Sequence, residues 1–278
     1  MSDDEGFAGD LFGAEEEEVS IPEPTTEIYT RGDEHNQPKT LNIRLVGSHP
    51  LWAHHLWNAS KVFARFFDDN KELCRDKTIL ELGAGGALPS LVAAANGASK
   101  VVITDYPDKE LIDNIQYNVD TNLPGNQNVA VQGYVWGTAT NALKEQLPEG
   151  RSTYDVIILS DLVFNHSQHH AMLRTCHELL TPDTGRVYVF YTHHRPHLAH
   201  RDVEFFSIAQ RPYTPNVDPD DRETVGYGFE ADHFIQEKMN VMFEEDPGDV
   251  EVRSTVHGWK LWLPSVPSSS SSSLPSSS

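Results

Sequence analysis

The stretch TILELGAGGALPS, residues 78–90, joins a short apolar run (Thr78, Ile79, Leu80) to the helix-like LPSLVAAA through Gly83, Gly85 and Gly86. A glycine turn between a strand and a helix lets a nucleotide-like ligand approach the backbone closely. A phosphate-binding loop would need Gly-Lys-Ser/Thr after its glycines, but Ala87 and Leu88 follow Gly86, so that chemistry is excluded. The dinucleotide fingerprint needs a third glycine where Leu88 stands and fails by one position. Its acidic partner is present, because Asp105 ends the next apolar run 20 residues beyond Gly85. A carboxylate there can accept hydrogen bonds from both hydroxyls of a ribose. Enzymes of nicotinamide dinucleotides and of S-adenosylmethionine share that acid, so it does not separate them.

Three further features do. Glu81 sits just ahead of the glycines, where a carboxylate repels a pyrophosphate but tolerates a sulfonium and its ammonium group. The chain closes on a strand-like pair. SDLVFN, residues 160–165, ends the fourth core strand, and open α/β sheets place their chemistry outside the carboxyl ends of the strands. Each feature also has a purely structural account: glycines turn chains, and Glu81 or Asp161 could cap a helix. Their coincidence points to S-adenosylmethionine.

These residues must be held by alternating strands and helices. HHLWNASKVFARFFDD (54–69) has helical spacing, followed by strand 78–82, helix 88–97, strand 100–105, helix 108–122 and strand 128–136. Strand 154–161, helix 166–180, strand 185–194 and a helix over 201–210 continue the alternation. FIQEKMNVMFEED (234–246) and VRSTVHGWKLWLP (252–264) then meet across a Pro-Gly turn with no room for a helix, which predicts an antiparallel pair. The expectation is an α/β, Rossmann-like doubly wound sheet of seven strands, mostly parallel, with a C-terminal antiparallel hairpin.

Among 278 residues, 21 Lys and Arg face 42 Asp and Glu, a net charge of −21. Residues 1–30 carry ten acids and no Lys or Arg, so the rest of the chain is still −11. Phosphate contacts need clustered basic residues, so a nucleic-acid surface is disfavoured; a basic protein partner fits better, with simple solubility as the alternative account of the charge. Acidic residues 1–27 and the Ser/Pro-rich 264–278 read as disordered, flanking one domain over 28–263. No apolar stretch is long enough for a membrane helix, and the N-terminus has no secretory pattern. Cys74 and Cys176 have no disulfide or metal spacing, so a reducing compartment, cytoplasm or nucleus, is expected, and the cytoplasm is taken as the location. The pairs His54-His55, His169-His170 and His193-His194 lack cysteine partners and ligand spacing, so no metal is expected and they read as surface or pocket-lining groups.

ELGAGGALPS, TDYPD, SDLVFNHSQH and the upstream LWNASKVFARFF together resemble the seven-β-strand methyltransferases. The resemblance narrows to the lysine-methyltransferase-like group, nearest to fungal elongation-factor methyltransferases, and covers Tyr29 to Leu263. It implies that Gly83, Ala84 and Gly85 admit the cofactor to the backbone and that Asp105 binds its ribose. It further implies that Trp136 packs on the adenine, Ser160 lies beside the sulfonium, and Trp57 is an aromatic lid.

For catalysis, Asp161 is the candidate to hold the acceptor amine, Phe164 to face the methylated ammonium, and Tyr191 to line the acceptor channel. The implied acceptor is a protein: the N-terminal glycine and an adjacent lysine of translation elongation factor 1-alpha, modified by a monomeric enzyme. A small-molecule enzyme of the nicotinamide type and a non-catalytic cofactor-binding module are the alternatives. A dinucleotide oxidoreductase is disfavoured by Leu88 and the terminal hairpin.

Overall fold

A computed structural model describes residues 22–215 and 224–265. Most of the acidic N-terminal segment, the run at 216–223 and most of the serine-rich tail lie outside the described residues.

The first two strands, β1 (Thr25–Thr30) and β2 (Thr40–Leu45), form an antiparallel pair that precedes α1 (Asn58–Asp69). The alternating core runs β3 (Thr78–Leu82), α2 (Leu88–Ala95), β4 (Lys100–Asp105), α3 (Lys109–Asn122) and β5 (Val129–Gly133). It continues through the short α4 (Asn141–Lys144), β6 (Val156–Ser160), α5 (His169–Leu179), β7 (Arg186–Thr192) and α6 (Ala199–Gln210). The chain ends in β8 (Glu230–Lys238), a one-turn α7 (Val250–Ser254) and β9 (Thr255–Trp262).

Seven strands make one sheet in the order β5-β4-β3-β6-β7-β9-β8. The five strands β3 to β7 are parallel, while β9 runs antiparallel to both β7 and β8. Every residue of β3 is buried, because helices cover both faces of a parallel sheet and a central strand then reads as a continuous apolar run. Phe63 and Phe67 of α1, Leu91 of α2 and Ile115 of α3 fill one face. Leu173 and Cys176 of α5, with Phe205 of α6, fill the other. The winding reverses between the neighbours β3 and β6, which opens a crevice at their carboxyl ends. Among the described residues no helix is long and apolar enough to cross a membrane.

Several boundaries differ from the sequence expectation. The late pair does have room for a helix: residues 250–254 form α7, capped by the Asp249 side chain, which accepts from Glu251 N. β8 starts at Glu230 and stops at Lys238, before the apolar residues that suggested strand to 246. β5 ends at Gly133; Tyr134 N still donates to Asp105 O (2.8 Å), and the chain then leaves the sheet. α1 begins at Asn58, so Trp57 is its N-cap rather than an internal residue.

The β1–β2 pair was not anticipated, and β1 begins ahead of residue 28. Leu41, Ile43 and Leu45 of β2 point into the core while the outer edge of β2 faces α3. There Asn122 Oδ1 accepts from Asn42 N (2.7 Å) and its Nδ2 donates to Asn42 O (2.9 Å). Asn118 repeats the pattern one turn earlier on Arg44 N and O, both at 2.8 Å. Side-chain amides on one helix face thus satisfy backbone groups that a further strand would otherwise take. Asn118 Nδ2 also reaches Gly86 O (3.2 Å), tying this edge to the glycine loop. Beneath the pair, buried Arg31 donates to Asp68 (2.6 Å) and to Asn96 (2.7 Å), joining it to the C-terminal ends of α1 and α2.

Candidate active site

The crevice at the β3/β6 reversal opens into a cavity of about 550 Å3. Its floor is the loop Gly83–Ala87, entered from β3 and left into α2. Gly83 stands at φ +63, and a Cβ on it would lie 2.8 Å from both Leu162 Cδ2 and Trp136 Cζ2. Only glycine fits that turn. Gly85, at φ +53, has nothing within 4 Å of a Cβ position and faces open space. Gly86 is pressed from behind, since a Cβ there would lie 2.7 Å from Ile43 Cγ2. The unanticipated β2 therefore backs the loop.

Asp105 ends β4 beside this loop, 7% exposed. Its Oδ2 accepts from Gly85 N (2.8 Å) and its Oδ1 from Tyr106 N (2.7 Å). Burial pushes its carboxyl above the usual range, and these two backbone donors pull it back. Each oxygen keeps lone-pair capacity for a further hydroxyl donor. Trp136 stands beyond β5 as a half-buried wall of the cavity, and Ser160 ends β6 at its lip.

Asp161 follows at φ +58, a left-handed conformation that Asp tolerates better than most residues. Its N–H donates to Phe190 O (2.7 Å), and its Oδ1 accepts from His194 Nε2 (2.9 Å) and Thr192 N (3.3 Å). Its Oδ2, like Ser160 Oγ, is buried without a hydrogen-bond partner. An unpaired buried polar oxygen costs about 1–3 kcal/mol, and both residues belong to the cavity lining. Phe164 and Trp57 form the opposite wall, with Trp57 Nε1 donating to Trp52 O (3.3 Å).

The structure thus brings Trp57, Gly83, Ala84, Gly85, Asp105, Trp136, Ser160, Asp161 and Phe164 around one cavity. It does not bring Tyr191. Side chains alternate along β7, so Phe190 packs with the α1 face and Tyr191 with the other. Tyr191 is 1% exposed and stacked on His257 (5.4 Å), and burial raises its phenol well above the ordinary value. Glu81, the sequence argument's discriminator, is also absent from the wall: it is wholly buried and points into the α1–α3 side of the sheet. His169 and His193 are core groups, bonded to Val163 O and to Asp202, rather than surface ones. Among the described residues no cluster of three or more His, Cys, Asp or Glu could hold a metal.

Sequence reasoning missed His194, Leu162 and Tyr106. The rule that chemistry gathers at carboxyl ends of strands would have singled out THH after β7 as readily as SD after β6. These residues fit S-adenosylmethionine: the glycine cradle would admit backbone contact, Asp105 would take ribose hydroxyls, and Trp136 would offer a ring face for adenine. The volume lies within the usual range of small-molecule sites, roughly 300–1,000 Å3.

Residues 35–211 match the family model described as lysine methyltransferase. A protein of Cryptococcus neoformans, "Protein N-terminal and lysine N-methyltransferase EFM7", is 44% identical over 241 residues, covering 81% of this chain and 76% of that one. Its namesake from Schizosaccharomyces pombe is 41% identical over 267 residues, covering 94% and 98%. A chain from Streptococcus mutans, provisionally assigned as a SAM-dependent methyltransferase, shares the fold at TM-score 0.53 and 14% identity, covering 86% of this chain and 56% of that one. On these matches, and on a cavity built from the strand ends such enzymes use, the chain belongs to the lysine methyltransferase family.

Proposed function

We propose that this chain methylates the N-terminal glycine and an adjacent lysine of translation elongation factor 1-alpha, acting as a monomer in the cytoplasm. One methyltransferase domain ending near residue 263 carries the reaction, and no nucleic acid takes part. The names of the relatives support an amine at a protein N-terminus and on lysine as acceptor. The observation that carries the reading is Asp161, a buried carboxylate of the cavity lining beside the glycine loop, whose Oδ2 has no hydrogen-bond partner among the described residues.

S-adenosylmethionine, when bound, supplies an electrophilic methyl group and leaves as a neutral thioether. The protein must present a neutral amine in line with that methyl, and such positioning is worth several kcal/mol, out of about 7–11 kcal/mol available to ideal orientation. An α-amino group has an ordinary pKa near 7.7–8.0 and lysine near 10.4, so the N-terminus loses its proton more easily by roughly 3 kcal/mol. Asp161 Oδ2 accepts one N–H of the amine and so turns the lone pair outward. The proton released from the ammonium goes to water. Phe164 faces the product cation, whose attraction to a ring is about 0.5–2 kcal/mol.

The test is incubation of the purified protein with methyl-labelled S-adenosylmethionine and a fungal lysate lacking its own activity. Label should map to the N-terminal peptide of elongation factor 1-alpha and vanish with Asp105→Ala. Label confined to small molecules would move the assignment to a nicotinamide-type enzyme. Equal methylation of an isolated internal lysine would overturn the N-terminal assignment.

A further inference from the structure

The histidine after β7 carries a role that neither the family match nor the relatives' names assign. His194 Nε2 lies 2.9 Å from Asp161 Oδ1, the oxygen that also takes the longer Thr192 N–H at 3.3 Å. Both protein donors reach Oδ1, and none among the described residues reaches Oδ2. The imidazole covers the carboxylate, with side-chain exposures of 22% for His194 and 3% for Asp161. Its ring packs edge-on against two side chains of the cavity lining, Trp57 at 4.7 Å and Phe164 at 6.4 Å. The neighbouring His193 turns the other way and bonds to Asp202 Oδ2 (2.7 Å), which takes His166 on its other oxygen. Of this pair His194 alone touches the cavity's lining residues Asp161, Trp57 and Phe164, from behind the lining rather than as part of it.

We propose that His194 is a positioning residue for methyl transfer: it clamps Asp161 Oδ1, leaves Oδ2 facing the acceptor amine, and keeps water off the carboxylate. This rests on the role given to Asp161 above. The imidazole touches neither the acceptor nor the methyl donor and carries no proton in the reaction. Its action resembles that of outer partners which orient a metal-binding or catalytic carboxylate and whose loss costs about 10–100-fold in activity.

The experiment is a double-mutant cycle on the full chain with unmethylated elongation factor 1-alpha, measuring kcat and KM, and S-adenosylmethionine affinity by calorimetry. His194→Ala should lower kcat by about 10–100-fold with cofactor Kd held within about twofold. His194→Gln should recover much of that loss, because its amide N–H can reach Oδ1. Combined with Asp161→Asn, His194→Ala should cost nothing further, since both act through one group. The proposal is overturned if the two losses multiply, if His194→Gln is as slow as His194→Ala, or if cofactor affinity falls in step with kcat. Should His194→Ala fail to fold, the cycle of His194→Gln with Asp161→Asn makes the same comparison. A fully active Asp161→Asn would sink the reading of Asp161 itself. An inactive Asp161→Asn beside a fully active His194→Ala would sink only the positioning role.

Discussion

Glu81→Gln is the sharpest single perturbation of the strand that feeds the site. Glu81 is wholly buried in β3, and no hydrogen bond of normal length reaches either of its oxygens among the described residues. Burial pushes its carboxyl from 4.5 up to about 8; proximity to Ser90 in the first turn of α2 pulls it back only in part, and Asp105 adds a little. In the folded protein the group is therefore protonated and neutral at pH 7, while in the unfolded chain it is ionised. Between 4.5 and about 8 the unfolded chain binds fewer protons than the folded one, so this group makes stability fall as pH rises, by about 1.4 kcal/mol per unit. By pH 7 the accumulated cost is about 3 kcal/mol, and above pH 8 it levels near 5 kcal/mol. Glutamine has the same shape and no charge to lose. Urea unfolding of both proteins at pH 5, 6, 7 and 8 isolates the effect, since every other titrating group cancels in the difference. The stability of Glu81→Gln relative to the natural chain should climb with pH and then level off. A difference that stays flat across this range, or a natural chain more stable than the variant at pH 8, would mean the carboxylate is ionised and partnered, and the reasoning fails.

Two more substitutions probe the supports of the site. Gly83→Ala places a Cβ 2.8 Å from Leu162 and Trp136 at φ +63, so it should lose about 2–5 kcal/mol of stability by thermal or urea unfolding, and weaken cofactor binding by displacing Trp136. An unchanged cofactor Kd would remove Trp136 from the adenine site. Arg31→Ala leaves Asp68 buried without its cation, with only the Asn96 amide as partner, and should cost about 3–5 kcal/mol, whereas Arg31→Met with Asp68→Leu should recover most of it. Equal losses in the single and double variants would show that the charge pair is not what Arg31 contributes.

How much of this was legible in the sequence follows from the range of the interactions involved. β3, β4 and the cofactor loop could be read because strand period, glycine turn and terminal acid are local: TILEL and KVVITD fold over the residues expected, and the loop needs glycine at 83 for a reason written in its own φ. The β1–β2 pair could not be read this way. TLNIRL is a short run whose pairing is completed by Asn118 and Asn122, some 75–80 residues later, and amides on a helix face carry no strand signal. The same limit explains the two misplaced side chains. Glu81 was given an electrostatic task on the assumption that its position beside the glycines placed it in the cavity, but in a strand the next residue points to the opposite face. Tyr191 was placed in the channel by its nearness to the end of β7, but it is buried on the α5–α6 side of the sheet, packed against Phe206 and His257. His194 inverts the error. As one of six paired histidines it read as a surface or pocket-lining group with no role of its own, and only the meeting of β6 and β7 ends sets its ring against Asp161. In this sheet the sequence marks which strand ends bear chemistry, while pleat phase and neighbouring ends decide which side chains reach it.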